Sequence, residues 1–419
     1  MLTTPRSHQG SGPLREPQSF VRPSASTFEV VLINSSSLVI SRVGVGFQMV
    51  ENRGSKPQEV AEGIIEWARL HGALADEAAL PRPRERTPAA SDIFPAVDNP
   101  DVQAEIQKAE KTLERIKVVA VAVDDKRERA VVFTRNQVST SAEKLLPHKI
   151  DGVTIDYVGQ AVIEPNPPIL PQSGVAAAPR CFLHNGLLAC GTSLTAASIW
   201  GAGTLGALVR LADGKLYGLT NNHVTGGCNH TRLGMHIMCP APFDADPAHP
   251  APVAIGKHHS FVALASGDPS QVELQSLDVA LFEVTHPELL TSIQGDNLYD
   301  TPTEVADPVG GMMVKKVGRT TGLTLGQIQG KFTTPLGIPY QADRFRSMVY
   351  FQDTWSVSTP AGDPFSLGGD SGSLVVSEDG TKAIGLVFAG ATTGAVSYIM
   401  PMRSVLDTLG ATLVNGHNI

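Results

Sequence analysis

Apolar positions fall into two regimes along the chain. In KPQEVAEGIIEWARLHGAL (residues 56–74), Val60, Ile64, Trp67 and Leu70 recur at helical spacing behind Pro57, so an amphipathic helix is predicted. A second helix is predicted over 101–116, DVQAEIQKAEKTLERI. KVVAVAVDD and RAVVFTR follow as two apolar runs parted by charged residues, which predicts a hairpin, and the turn Asp151-Gly152 leads into one more strand. The β-branched residues of 28–50 suggest a further hairpin. From about residue 181 the regime changes: GTLGALVRL, LYGLTNNHV, SLDVALFEV, MMVKKVGRT, GSLVVS and AIGLVFAG are short runs separated by turns. Such a series predicts an antiparallel barrel or sandwich. PMRSVLDTLGATL closes the chain with a predicted helix starting at Pro401 and burying Val405, Leu406 and Leu409.

The predicted organisation is a disordered stretch (1–27), an α+β module (28–164) with a Pro-rich linker near 77–100, a second Pro-rich linker (165–180), and a β unit over 181–412. The module is expected to be regulatory or partner-recruiting, and deletion of 1–174 is expected to leave a folded β unit. Composition alters this little. With 419 residues, 42% of them hydrophobic and 18% charged, there is ample material for a core. The net charge of −8 argues against nucleic acid or an anionic membrane as the main partner. The first residues lack the apolar core of a secretory signal and no apolar run approaches a membrane span, so a cytoplasmic protein with reduced thiols is expected.

The candidate chemistry begins at SLGGDSGSLVV, where three glycines surround Ser371 directly before a strand. A serine hydroxyl attacks only when a base takes its proton, and that base needs a carboxylate to fix its tautomer. The same β region offers both. YGLTNNHVTGG places His223 just past an apolar strand, and SLDVALFEV places Asp278 at the mouth of another.

LTNNHV, LDVAL and GGDSGSLV together resemble the signature segments of the chymotrypsin/trypsin-like serine peptidases. KKVGRTTGLTLGQIQG resembles the opening of the second barrel in bacterial members and in plant narrow-leaf proteins. The resemblance covers roughly 181–412 and implies a mainly β fold, the double six-stranded antiparallel β-barrel, here behind an N-terminal α+β domain. It implies a serine endopeptidase acting on protein or peptide substrates through an acyl-enzyme, without cofactor or metal. Ser371 would be the nucleophile, His223 the general base and then acid, and Asp278 its orienting partner. The N–H groups of Gly369 and Ser371 would form the oxyanion hole. Phe365 would floor a shallow apolar specificity pocket walled by Val387 and Phe388.

The chain departs from secreted members in having no Ile-Val-Gly-Gly activation site, so Asp370 needs a partner other than a freed N-terminus. Cys228, His230, His236 and Cys239 are zinc-competent types in a spacing that fits no ligand pattern; a Cys228–Cys239 disulfide, or plain buried thiols together with Cys181 and Cys190, are the alternatives. Asn229 opens a glycosylation-type triplet that has no meaning without secretion, and His258-His259 is expected to be a solvated turn. Two other functions stay open: a catalytically silent peptide-binding or scaffold protein, and an esterase.

Overall fold

Short apolar runs broken by glycine and proline cannot build long helices, and here they close into barrels. The structure, a computed structural model, describes residues 29–32, 38–41, 55–75, 100–161, 163–165, 181–266, 274–359, 363–391 and 396–419. The expected disordered stretch 1–27 and the bulk of both expected linkers, 77–99 and 166–180, lie outside the described residues.

The first barrel is a ring of six antiparallel strands. Ser193–Ala196 pairs with His236–Cys239, which pairs with Val253–Phe261, then Ala280–Val284, Leu216–Thr220 and Ala207–Arg210. Gly203–Thr204, just upstream of that last strand, returns to Ser193–Ala196 and closes the ring. Leu194, Leu208, Ile237, Ile255 and Phe282 fill it. Met313–Gly318 starts the second ring, which runs through Gly322–Phe332, Trp355–Ser358, Ser397–Pro401, Lys382–Ala391 and Leu374–Ser377 back to the first strand. Its interior holds Val314, Ile328, Val357, Val375, Ile384 and Ile399. This is the trypsin-like double β-barrel that the sequence suggested.

A third cluster joins the barrels, with Leu219 and Leu281 from one, Leu374, Leu386 and Tyr398 from the other, and Met402 and Val405 from the C-terminal helix Met402–Leu409. That helix ends where Gly410 adopts a left-handed φ of 59°. The chain then crosses to the first barrel, where Thr412–Leu413 pairs with Val209 and Arg210. A hairpin, Leu336–Ala342 with Phe345–Phe351, leaves the second barrel as a two-stranded sheet of its own.

The N-terminal helices form at Lys56–Leu70, capped by the Ser55 side chain, and at Pro100–Ile116. Leu70, expected on the apolar face, is exposed. The predicted hairpin is Val118–Asp124 with Arg129–Thr134, and Val153–Val158 adds in parallel. Strands Glu29–Leu32 and Leu38–Ser41 also form a hairpin. The module shares its sheet with the second barrel: Val123 pairs with Lys331 and Ala122 with Phe332. Strand alternation explains how. Val121, Val123 and Val132 face the helices, whereas Ala120, Ala122, Val131 and Phe133 belong to the inter-barrel cluster. The sequence boundary at the Pro-rich stretch thus separates two units that share a sheet and a core.

Candidate active site

His223 and Asp278 meet because their strands are neighbours. His223 lies in the turn 222–226 after Leu216–Thr220, and Asp278 sits just before Ala280–Val284, with Thr220 paired to Ala280. His223 Nδ1 lies 2.5 Å from Asp278 Oδ2, and the His223 backbone N–H donates to Oδ1 at 3.2 Å. Tyr340 donates its hydroxyl to Oδ2 at 2.7 Å. The two asparagines before the histidine also have tasks: Asn221 Nδ2 donates to the Asp278 carbonyl at 2.6 Å, and Asn222 donates to the Val262 carbonyl at 2.8 Å. Asp278 is fully buried.

Ser371 lies in a tight loop before Leu374–Ser377, pressed against the first barrel. Its carbonyl accepts from Thr204 N–H at 2.9 Å, and the Gly369 carbonyl accepts from Thr204 Oγ1 at 2.8 Å. Gly369 holds φ at +96°, and a Cβ there would lie 2.3 Å from Arg319 Nη1, so only glycine fits. The approach is equally close at Gly206, where a Cβ would lie 2.1 Å from the Gly372 carbonyl oxygen.

The partner that Asp370 needed is supplied from within the second barrel. Its buried carboxylate accepts from the N–H groups of Thr320 at 2.7 Å, Thr321 at 3.2 Å and Leu367 at 2.9 Å, and from Thr321 Oγ1 at 2.7 Å. Lys316 Nζ stands 3.6 Å away, fully buried, and also donates to Thr321 Oγ1 and the Gly322 carbonyl. Burial lowers the Lys316 pKa, against the pull of Asp370. Next to it, Arg319 makes a two-pronged buried ion pair with Asp244, both contacts at 2.5 Å. Lys316, Arg319, Thr320 and Thr321 all fall in KKVGRTTG, a segment that sequence reasoning singled out without finding what its side chains touch.

The structure leaves one contact unmade. His223 Nε2 is buried and has no hydrogen-bond partner among the described residues, so it is not bonded to the Ser371 hydroxyl. Ser371 itself is 1% exposed. The expected pocket residues Phe365, Val387 and Phe388 are fully buried. Phe365 and Val387 belong to the core of the second barrel and Phe388 to the inter-barrel cluster, its ring tilted at 49° against Phe351 with centroids 4.8 Å apart. They are packed interior in this structure, a correction to their expected place at a pocket surface, since large apolar rings gain most from full enclosure.

Beyond the Ser371 loop, the edge of Lys382–Ala391 carries an extended piece of the chain itself. Gly372 N–H donates to Val387, Val387 N–H donates to Ser373, and the next residues, Ala389, Gly390 and Ala391, pair antiparallel with Pro165, Glu164 and Ile163.

His258 is a correction. It lies within Val253–Phe261, is buried, and stacks at 5.7 Å on Phe261. Burial and the neighbouring His259 lower its pKa to about 4. Cys181, Cys190, Cys228 and Cys239 are free buried thiols, and among the described residues no three ligand-type side chains converge as a metal site. Asn229 spends its amide on Asn222 and Leu264.

No family model and no curated protein matches the chain. Solved structures do. A glutamic acid specific serine protease is 18% identical over 54% of this chain and 100% of its own, with a TM-score of 0.35. Thermobifida fusca Protease A gives 18% identity, 54% and 100% coverage and a TM-score of 0.35. An alpha-lytic protease homologue gives 21% identity, 54% and 97% coverage and a TM-score of 0.36. These are chymotrypsin-like bacterial serine proteases. Among the described residues, no helix is long and apolar enough to cross a membrane.

Proposed function

We propose that this chain is a serine endopeptidase. The observation that carries the proposal is the orientation of His223 by a buried carboxylate. Nδ1 is engaged by Asp278, which fixes the tautomer with its free electron pair at Nε2, on the side of the ring away from Asp278. In the proposed reaction Nε2 takes the Ser371 proton as Oγ attacks a peptide carbonyl. The N–H groups of Gly369 and Ser371 stabilise the oxyanion, and the imidazolium returns its proton to the leaving amine. Water then hydrolyses the acyl-enzyme by the same relay. An apo serine–histidine contact is commonly loose and tightens with substrate.

The strand edge that holds residues 163–165 supports a peptide as substrate, because an extended backbone docks there by main-chain pairing next to the nucleophile loop. In this reading the N-terminal module restrains the enzyme by keeping its own segment on that edge, and a regulatory protein partner acts through the module. The compartment we propose is the cytoplasm.

The second reading, a silent peptide-binding scaffold, is favoured by an Nε2 that has no hydrogen-bond partner among the described residues and by the burial of Ser371. A fluorophosphonate probe separates the two. Covalent labelling of the full chain that disappears in Ser371→Ala is expected; a chain that stays unlabelled across pH 6–9, with and without competing peptide, overturns the peptidase reading.

A further inference from the structure

Asp278 must hold one orientation although it is fully buried, and its own strand supplies little toward that. The Oδ1 oxygen is held by the His223 N–H and Oδ2 faces the imidazole, so the lone pairs left on Oδ2 need another donor. That donor comes from outside both barrel rings. Tyr340, on the hairpin Leu336–Ala342/Phe345–Phe351, gives its hydroxyl to Oδ2 at 2.7 Å. Its ring also meets the His223 ring edge-on, with centroids 5.7 Å apart at 68°.

The hairpin is built to hold that hydroxyl still. Ile338 and Tyr340 point inward with Val349 and Phe351, while Pro339 and Gln341 face outward. Gln275 N–H donates to the Tyr350 carbonyl at 2.9 Å, and Gln352 N–H donates to the Gln275 carbonyl at 2.8 Å. The hairpin is thereby stitched to the segment that ends in Asp278. Burial and the adjacent Asp278 raise the phenol's pKa well above its ordinary value, so it remains a donor throughout the working range.

We infer that Tyr340 is a positioning residue of the active site, acting through Asp278 to hold the carboxylate in line with His223 and to disperse its charge. The inference rests on the peptidase reading. Without the hydroxyl, the carboxylate would turn toward the imidazole with its charge undispersed, and protonated His223 would become more stable. Among the described residues, the titratable groups facing Asp278 are His223, Tyr340 and Cys228; the Cys228 thiol is pushed up to about 12 by burial and by Asp278, so it stays neutral.

The test is the rate of fluorophosphonate labelling against pH for the full chain, Tyr340→Phe, Asp278→Ala and the double variant. Loss of a hydrogen bond to a buried charge predicts a roughly 10- to 100-fold lower maximal labelling rate for Tyr340→Phe. The probe's half-saturation concentration stays unchanged, and the acid limb moves to higher pH. In the Asp278→Ala background, Tyr340→Phe changes nothing further. Uniform 3-fluorotyrosine substitution, which keeps every ring and makes the phenol a stronger donor, moves the limb the opposite way and serves if Tyr340→Phe does not fold. A reactive wild type with an unmoved acid limb, or an equal loss in the Asp278→Ala background, overturns the role of Tyr340 alone. An unreactive wild type overturns the peptidase reading, and this inference with it.

Discussion

Lys316 is the residue whose replacement is most informative after Ser371. Lys316→Met removes the ammonium while leaving Asp370 enclosed, and unpairing a buried charge costs about 3–5 kcal/mol. Denaturant melts check the stability loss, and slower fluorophosphonate labelling should accompany it because Asp370 shapes the loop of Gly369 and Ser371. His258 gives a prediction in pH. Its folded pKa, about 4, lies below the ordinary 6.5, so the unfolded chain takes up its proton first as pH falls. Its contribution is whole above about pH 6.5 and drains away toward pH 4, up to about 3 kcal/mol, and His258→Leu should flatten that slope in melts at pH 4–7. The candidate triad was readable because histidine, aspartate and serine each sit in a short segment whose neighbours are themselves constrained. Asn221 reaches Asp278, and Gly369 answers to Arg319. Lys316 and Tyr340 were not readable: a lysine in an alternating strand and a tyrosine in a hairpin look like ordinary β residues until their partners, distant in sequence, are known. Phe365 misled for the converse reason, since position relative to the serine says nothing about which way a ring packs.

Among the elements, the barrel strands were legible as short apolar runs between turns, and several of them, such as Leu216–Thr220 and Lys382–Ala391, are buried almost throughout. The helices Lys56–Leu70 and Met402–Leu409 were equally legible from their opening prolines and apolar periodicity. His258 was misassigned because two adjacent histidines look polar, whereas a strand turns one of them inward. The segment 163–165 could not be read at all: pairing with Ala389–Ala391 uses main-chain groups, which carry no letter in the sequence. Its prediction belongs at this scale. Replacing residues 163–165 by Gly-Ser-Gly is expected to raise the rate of fluorophosphonate labelling severalfold, by releasing an edge that an incoming chain would need. An unchanged rate would mean that the edge is not the point of restraint.

For the whole molecule, the junction between the N-terminal module and the second barrel matters most. Val118–Asp124 is covered on both faces, by its own helices and by the inter-barrel cluster. A chain lacking 1–174 is expected to fold, since both rings are complete without it, but with the Phe332 end of its sheet uncovered. Calorimetry should show a lower Tm than the full chain, and the full chain should unfold in a single transition. Two separate transitions in the full chain would show that the junction transmits little.

The seam at Gly206 and Gly372 has a consequence of its own. The peptide that bends behind the serine touches bare backbone of the opposite barrel, with no room left for even a methyl group. Alanine at 206 would act as a shim, pushing the Ser371 loop away from His223 without replacing any side chain of the candidate site. Barrel spacing is thus a tuning dimension of this protein, adjustable one carbon at a time.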